Sequence, residues 1–412
     1  MEFGLIGERL GHSYSAEIHR AFGAYDYELK SMPPEAVGPF LEEKSFRGIN
    51  VTIPYKKAVI PYCDEISATA QKIGSVNTIV KRADGLIFGD NTDYAGFSEM
   101  AARAGISFAG RKVAILGSGG TSLTARTVAA DEGAREVVVV SRSGAVNYGD
   151  LSPVADSDIV INTTPIGMYP NNGEAVVSLD TFPNCCGVID VIYNPLRTAL
   201  VSQACERGIP YTGGLYMLTA QAAFAYERFI GEMLVPNVLD RVYRELLQSV
   251  ENVILVGMPG CGKTTVGKLV AERLGREFVD IDAVVAERAG MSVPEIFATQ
   301  GEAVFRKMEA DAAADFGKQK GLVIAGGGGI ILTAENRAAL RQNGRVYCLE
   351  RPLESLSTAN RPLSKDLETL KKMAEARAPL YALASDVSVP NNRTPAETIA
   401  AILEDFHEVA CY

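Results

Sequence analysis

The chain has 412 residues, 47% of them hydrophobic and 22% charged, and a formal net charge of −10 at pH 7. This length allows roughly two to four domains, and an acidic chain without a basic stripe is a poor partner for nucleic acid. The sequence has no long apolar run, no cationic leader and seven scattered Cys without a Cys-x-x-Cys pair. We therefore expect a cytoplasmic protein with neither a membrane segment nor a disulfide framework.

Short apolar runs alternate with helical patterns along the chain, which is typical of α/β architecture with parallel strands. In a first block the pattern predicts strands over 2–6, 26–30, 47–52, 76–81 and 86–89 and helices over 14–23, 34–43 and 64–72. In a second block it predicts strands over 112–116, 136–140, 158–162 and 187–191 and helices over 121–132, 196–206 and 215–229. A last helix over 235–248 leads into a third block with almost no linker.

A glycine-rich turn follows the strand predicted over 112–116. It reads Gly117-Ser118-Gly119-Gly120-Thr121-Ser122 and matches Gly-x-Gly-x-x-Gly/Ala, except that Ser122 holds the third small position. Such a turn lets the backbone approach a pyrophosphate at a helix N-terminus, and readers of NAD carry Asp or Glu about 20 residues later. Here the next strand ends in Ser141-Arg142-Ser143. A guanidinium between two hydroxyls suits a 2′-phosphate, so the predicted cofactor is NADPH/NADP+.

Four further segments place hydroxyls, amides or one charge at predicted strand ends or helix starts. They are residues 11–15 (Gly-His-Ser-Tyr-Ser), 50–56 (Asn-Val-Thr-Ile-Pro-Tyr-Lys), 75–78 (Ser-Val-Asn-Thr) and 89–93 (Gly-Asp-Asn-Thr-Asp). Such groups can bind a small polyhydroxylated acid without a metal. Together with residues 162–168, 190–195 and 214–221, these segments resemble shikimate dehydrogenase over residues 1 to about 248.

The resemblance implies a catalytic pair, Lys56 and Asp93, in which the ammonium protonates the alkoxide that hydride addition to a ketone produces. It implies substrate contacts from Ser13, Ser15, Thr52, Asn77, Tyr193 and Gln221. It implies cofactor contacts from Gly117, Gly119, Gly120, Ser141, Arg142, Ser143, Thr163, Gly214 and Met217. Two departures from the family pattern are Ala16, where Pro is usual, and a short stretch between Arg142 and residue 158, where the family places a helix and a further strand.

A complete phosphate-binding loop occupies residues 257–264 and reads Gly-Met-Pro-Gly-Cys-Gly-Lys-Thr. It follows the apolar run 253–256 and precedes an amphipathic helix over 265–274, which is the context that the motif requires. Its predicted nucleotide contacts are Gly257, Gly260, Gly262, Lys263, Thr264 and Thr265. Lys263 would reach the outer phosphates, and the Thr264 hydroxyl can hold Mg²⁺. Because such a loop normally opens its domain, we interpret the chain as a fusion.

The chain resembles shikimate kinase over residues 252–412, a range that includes this loop. The resemblance is carried by residues 278–282 (Phe-Val-Asp-Ile-Asp), 301–306 (Gly-Glu-Ala-Val-Phe-Arg), 325–329 (Ala-Gly-Gly-Gly-Gly), 360–363 (Asn-Arg-Pro-Leu) and 376–381 (Ala-Arg-Ala-Pro-Leu-Tyr). We expect the two carboxylates of 278–282 to share one side of a strand end. The resemblance implies that Asp282 binds the reacting hydroxyl and that Asp280 acts on Mg²⁺. It implies that Lys263 and Arg361 stabilise the transferring phosphoryl group. The substrate would be held by Arg306, Arg377, Gly327 and Gly328. The short segment 353–360 lacks the additional Arg that usually precedes the lid.

We therefore predict a bifunctional α/β enzyme of the shikimate pathway, which reduces 3-dehydroshikimate with NADPH and phosphorylates shikimate with ATP and Mg²⁺. The expected domains are a substrate domain over 1–97 with a returning helix over 225–248, a Rossmann-like NADP domain over 98–224, and a P-loop, nucleoside-monophosphate-kinase-like domain with a parallel sheet over 250–412. Two alternatives stay open for the front half: a quinate or cyclitol dehydrogenase that uses NAD, and a shikimate sensor without turnover. The expected partners are small molecules only, and the sequence does not define an oligomeric state.

Overall fold

The computed structural model describes residues 1–11, 13–23, 25–356 and 367–408. Within these residues the chain forms three β-sheets with helices packed on them, and two of the sheets are entirely parallel. The predicted lid residue Arg361 lies outside the described residues. The helices in the described ranges lack the combination of length and apolar character that a membrane span requires.

The first sheet is mixed and has the strand order β2-β1-β3-β5-β6-β4. Its strands are β1 (Phe3–Gly7), β2 (Tyr27–Ser31), β3 (Gly48–Val51), β4 (Glu65–Ile66), β5 (Thr78–Lys81) and β6 (Ile87–Asp90). The helices of this segment are α1 (Ser15–Phe22), α2 (Pro34–Glu43) and α3 (Ala68–Ile73). The helix predicted from residue 64 begins later than expected, because residues 65–66 pair with β6 and the Ser67 side chain caps α3 by accepting from the Ala70 N–H.

The second sheet is parallel and has the order β11-β10-β9-β7-β8. Its strands are β7 (Lys112–Leu116), β8 (Glu136–Val140), β9 (Ile159–Asn162), β10 (Gly187–Asp190) and β11 (Tyr211–Thr212). The accompanying helices are α4 (Thr92–Arg103), α5 (Gly120–Asp131), α6 (Ala199–Glu206) and α7 (Leu215–Ile230). Residues 141–158 contain turns and one 3-10 segment, Ser152–Val154, but no α-helix, so the shortened connection read from the sequence is present in the fold.

Helices α4 and α7 pack very closely, and this contact joins the first two sheets. A side-chain carbon on Gly96 of α4 would lie 2.9 Å from the Gln221 backbone nitrogen and 3.0 Å from the Met217 carbonyl oxygen of α7. Only glycine allows this approach, because the Cβ atoms of other residues do not come this close to neighbouring atoms. The contact brings residues of α4 and α7 to the two sides of one cleft.

The third sheet is parallel, with the order β13-β14-β12-β15-β16. Its strands are β12 (Asn252–Val256), β13 (Phe278–Asp280), β14 (Val323–Ala325), β15 (Gly344–Glu350) and β16 (Val387–Pro390). Its helices are α9 (Lys263–Leu274), α10 (Ile281–Ala289), α11 (Val293–Thr299), α12 (Glu302–Gly317), α13 (Ala334–Arg341), α14 (Leu367–Ala384) and α15 (Pro395–Glu408). The P-loop lies between the central strand β12 and α9, at the carboxyl edge where ligands bind in open α/β sheets.

The front and back halves are joined by α8 (Val238–Val250), which runs almost directly into β12. Polar contacts away from this helix also connect the halves. The Leu196 N–H donates to the Asn343 side-chain oxygen at 2.9 Å, and the Asn172 amide donates to the Gln342 side-chain oxygen at 2.6 Å. Residues 225–248, predicted as one returning helix, comprise the end of α7, a linker and most of α8.

Candidate active sites

A cleft of about 480 Å³ lies in the front half between the first two sheets. All eight residues predicted as catalytic or substrate-binding in this half line it: Ser13, Ser15, Thr52, Lys56, Asn77, Asp93, Tyr193 and Gln221. Gly214, Met217 and Thr121 line the same cleft on the side of the second sheet. The cleft is therefore shared by the predicted substrate and cofactor sites.

Lys56 and Asp93 form an ion pair within this cleft. The Lys56 Nζ lies 2.5 Å from the Asp93 Oδ2, and the side chains are 23% and 13% exposed. Lys56 follows β3, and its carbonyl accepts from the Val76 N–H at 2.8 Å. The adjacent Tyr55 is buried and donates its hydroxyl to the Met32 carbonyl at 2.6 Å. These contacts fix the backbone that presents the ammonium, while Asp93 is held in the first turn of α4.

The amide of Asn77 has a defined orientation. Its side-chain oxygen accepts from the Thr92 N–H at 2.7 Å and from the Thr78 hydroxyl at 3.0 Å, so the amide nitrogen is the group available to a ligand. On the opposite side, the Ser13 hydroxyl donates to the Ser15 hydroxyl at 3.0 Å and accepts from the Ser15 N–H at 3.2 Å. The cleft thus combines the cationic side chains of Arg9 and Lys56 with directed hydroxyl and amide groups, which suits a polyhydroxylated acid.

The predicted dinucleotide turn has the expected backbone geometry. Gly117 has φ +108°, and a side-chain carbon there would lie 2.8 Å from the Thr163 hydroxyl oxygen. At Gly119 and Gly120 no atom of the described residues lies within 4 Å of such a carbon, so the start of α5 is open to a ligand. The exposed Arg142 makes no hydrogen bond or ion pair to the described residues. These residues fit a dinucleotide with a 2′-phosphate.

A second cleft, of about 290 Å³, surrounds the P-loop. Its lining includes Gly260, Gly262, Lys263, Thr264, Thr265, Asp280, Asp282, Gly326, Gly328 and Arg351. The Lys263 ammonium donates to the Gly257 carbonyl at 2.9 Å and the Met258 carbonyl at 3.2 Å. The Thr264 hydroxyl donates to the Asp280 Oδ2 at 2.7 Å, and this pair of hard oxygen atoms fits Mg²⁺.

The two carboxylates predicted to share a strand end do not do so. Strand β13 ends at Asp280, and Asp282 lies in the first turn of α10. The Asp280 Oδ1 accepts from the Asp282 N–H at 3.1 Å and the Ala283 N–H at 3.3 Å, so Asp280 caps this helix. The prediction of a strand position was wrong because a local cap ended the extended backbone. Both carboxylates still face the P-loop cleft.

Arginines from α12 and α14 meet the loop of glycines that follows β14. Arg377 donates to the Gly328 carbonyl at 2.8 Å, and the Tyr381 hydroxyl donates to the same carbonyl at 2.7 Å. Arg306 donates to the Glu309 Oε2 at 2.8 Å. Gly327 lies against Asp282 and Glu309, so the predicted residues Arg306, Arg377, Gly327 and Gly328 are brought together with Asp282.

Glu309 and Arg351 are site residues that the motifs did not indicate. Glu309 is completely buried, and its Oε1 has no hydrogen-bond partner within the part of the chain that the structure describes. Burial raises the pKa of Glu309, against the opposing charge of Arg306. The helical spacing of three residues from Arg306 could have identified it. Arg351 follows β15 and extends beside the P-loop, a position that no local pattern predicts.

The fold and the two clefts define a dinucleotide-dependent dehydrogenase joined to a P-loop kinase of small molecules. A family model for the shikimate dehydrogenase substrate binding domain matches residues 5–79, and one for shikimate kinase matches residues 259–407. Shikimate dehydrogenase (NADP(+)) of Clostridium perfringens is 36% identical over 265 residues, covering 59% of this chain and 97% of that protein.

Two solved structures are also similar. One is a chorismate mutase/shikimate 5-dehydrogenase fusion protein from Clostridium acetobutylicum, with 35% identity and a TM-score of 0.57 over 59% of this chain and 96% of that one. The other is quinate dehydrogenase from Corynebacterium glutamicum in complex with NAD, with 26% identity and a TM-score of 0.55 over 60% of this chain and 98% of that one. The chain belongs to the shikimate dehydrogenase family and carries a shikimate kinase domain, so it is a bifunctional enzyme of the shikimate pathway.

Proposed function

We propose that the front cleft reduces 3-dehydroshikimate to shikimate with NADPH and that the back cleft phosphorylates shikimate with ATP and Mg²⁺. The observation that carries the front-half proposal is the Lys56–Asp93 pair in a cleft lined by directed hydroxyls and amides. Both sites would then recognise one ring acid, which makes the fusion chemically coherent.

In the reduction, a dinucleotide held by the second sheet would supply the hydride for the ketone carbon. Lys56 donates a proton to the oxygen as its negative charge develops and stabilises that charge meanwhile. Asp93 holds the ammonium in place and can accept a bond from a ring hydroxyl. Ser13, Ser15, Thr52, Asn77, Tyr193 and Gln221 bind the carboxylate and the remaining hydroxyls of the substrate.

Arg142 supports NADPH rather than NADH as the reductant. It is exposed, stands between Ser141 and Ser143 and makes no ion pair to the described residues. A 2′-phosphate would supply the missing anion, whereas a 2′-hydroxyl would not. The name of the Clostridium perfringens relative includes NADP(+), which agrees with this choice. Gly117, Gly119 and Gly120 hold the pyrophosphate, and Thr163, Gly214 and Met217 complete the cofactor site.

In the phosphorylation, Asp282 binds the reacting hydroxyl and helps to remove its proton. Lys263, from the P-loop, stabilises the outer phosphates, and Thr264 and Asp280 would hold Mg²⁺, which supplies charge neutralisation. Arg306 and Arg377 bind the shikimate carboxylate beside Gly327 and Gly328. Arg361 remains a proposed lid residue that neutralises the transferring group.

We assign the three sheets to three domains. The limits are 1–97 with 225–248 for the substrate domain, 98–224 for the NADP domain and 250–412 for the kinase domain. The strands support this division, because each sheet lies within one of these ranges.

Two variants of the full chain test the proposal. Lys56→Ala should abolish reduction and leave shikimate phosphorylation intact, and Lys263→Ala should do the reverse. The neighbouring exposed lysines Lys57 and Lys268 provide matched controls, whose Ala variants should keep both activities. Loss of both activities from either lysine variant in a folded chain would contradict the two-site proposal.

Initial rates with NADPH against NADH, and with 3-dehydroshikimate against 3-dehydroquinate, separate the shikimate and quinate alternatives.

A further inference from the structure

A lysine of the kinase half reaches the substrate side of the dehydrogenase half. The Lys320 ammonium donates to the Tyr14 hydroxyl at 2.7 Å, and it lies 5.0 Å from the centre of the Tyr14 ring. Burial lowers the pKa of Lys320 to about 8, and no carboxylate forms an ion pair with it among the described residues. Tyr14 is therefore the principal partner of a half-buried cation among the described residues.

The loop that carries Lys320 is firmly attached to the kinase sheet. It follows α12, and the Gln319 carbonyl accepts from the Asn252 side chain at 2.8 Å. The Gly321 N–H donates to the Val250 carbonyl at 3.1 Å, and the Asn252 side-chain oxygen accepts from the Leu322 N–H at 2.8 Å. Lys320 is thus presented from a fixed backbone rather than from a free surface loop.

Tyr14 connects this lysine with the front cleft. It stands between Ser13 and Ser15, whose hydroxyls line the cleft and bond to each other, and it precedes the first turn of α1. Its ring packs edge-on against Tyr193, with ring centres 6.1 Å apart, and Tyr193 also lines the cleft. Tyr14 is therefore joined through its backbone to both serines, and its ring supports Tyr193.

We propose that Lys320 is a positioning residue for the dehydrogenase substrate cleft, supplied by the kinase half and acting through Tyr14. The kinase domain then completes the substrate-binding surface of its fusion partner, in addition to its own reaction. This inference rests on the proposed substrate-binding roles of Ser13 and Ser15. Lys56 and Asp93 belong to other segments, so we expect the proton-donating pair to keep its geometry when Lys320 is changed.

This arrangement gives a specific kinetic signature. Groups that bind the substrate carboxylate and hydroxyls act on the ground state and the transition state alike, so their misplacement raises KM with little effect on kcat. In the full chain, Lys320→Met should raise KM for 3-dehydroshikimate roughly three- to tenfold, the size expected for one partly exposed charge-assisted bond. KM and kcat for shikimate phosphorylation should not change, and the apparent kcat reports the active fraction of the kinase half in each preparation.

Lys318→Met is the matched control, because Lys318 lies in the same loop and its side chain has no bonding partner among the described residues. It should leave both reactions unchanged. Lys320→Arg keeps the cation and should recover most of the lost affinity. Tyr14→Phe keeps the ring and removes the hydroxyl, so combining it with Lys320→Met should raise KM less than the product of the two separate effects.

A reductase KM for Lys320→Met within about twofold of that of the unaltered chain would overturn the proposal, whatever the melting temperature does. Multiplicative effects of the Tyr14 and Lys320 changes would also overturn it. Ser15→Ala, measured in parallel, distinguishes a failure of the proposed substrate-binding role of Ser15 from a failure of the proposed positioning role of Lys320. An unchanged KM in Ser15→Ala contradicts the proposed substrate role of that serine, whereas a raised KM there with no response to Lys320→Met contradicts the role of Lys320 alone.

Discussion

Gly327→Ala is a defined perturbation of the kinase site. A methyl carbon at this position would lie 2.5 Å from the Asp282 Oδ1 and 2.7 Å from the Glu309 Oε1, whereas ordinary contacts begin near 3.4 Å. The loop and the two carboxylates must therefore separate by about 0.9 Å and 0.7 Å. The backbone of Gly327 is not in the left-handed region, so the substitution tests this contact and not backbone strain.

A misplacement of about 1 Å in a positioned site can cost on the order of a hundredfold in rate. We therefore expect Gly327→Ala to lower kcat/KM for shikimate phosphorylation by about 10²-fold and to leave 3-dehydroshikimate reduction unchanged. The measurement is a pair of steady-state assays on one preparation, with the melting temperature recorded.

Gly275→Ala is the control for a general effect of adding a methyl group to the kinase half. Gly275 ends α9 with φ +65°, and no atom of residues 1–11, 13–23, 25–356 or 367–408 lies within 4 Å of an added carbon. The variant should lose about 1–2 kcal/mol of stability through its backbone and keep its kinase constants. Full kinase activity in Gly327→Ala would refute the proposed proximity of this loop to Asp282 and Glu309.

Three other changes have distinct expected results. Arg142→Asp should reduce the preference for NADPH over NADH by about tenfold or more, because it removes a charge-assisted bond to the 2′-phosphate; an unchanged cofactor ratio contradicts this role. Arg351→Ala should raise KM for ATP several-fold without changing KM for shikimate, and the opposite pattern would place Arg351 at the other subsite. Glu309→Gln should raise KM for shikimate and lower the melting temperature, because the buried charged partner of Arg306 is lost. If the variant and the unaltered chain have the same melting temperature and the same KM for shikimate, this ion pair is dispensable.

The sequence predicted the longer strands of the first two sheets and both phosphate-binding turns well, because those features are local. Strand β8 was predicted over the residues that form it, and the shortened connection after it is present. Gly117 and the P-loop glycines adopt positive φ, as their motifs require. Two short strands, Glu65–Ile66 and Tyr211–Thr212, were not predicted, because pairing with neighbouring strands and not local composition produces them. Strands β15 and β16 of the kinase half were not predicted either.

Site residues were harder to predict where their partners lie far away in the chain. The motif resemblance indicated Lys56 and Asp93, and the fold brings them together across 37 residues of sequence. Lys320 carries no motif, and its contact with Tyr14 spans 306 residues. Only the packing of the two halves places that lysine beside the front cleft. Asp282 was predicted at a strand end but lies in a helix, because the Asp280 side chain caps α10. The pattern of apolar residues does not reveal such a cap.

The most direct test of the whole account follows both reactions in one vessel. Purified chain receives 3-dehydroshikimate, NADPH, ATP and Mg²⁺, and NADPH oxidation is compared with the formation of shikimate 3-phosphate by mass spectrometry. The unaltered chain should form shikimate 3-phosphate, and Lys56→Ala should form it only when shikimate is added. Formation of shikimate 3-phosphate by Lys56→Ala from 3-dehydroshikimate alone, or its absence with the unaltered chain, would contradict the account.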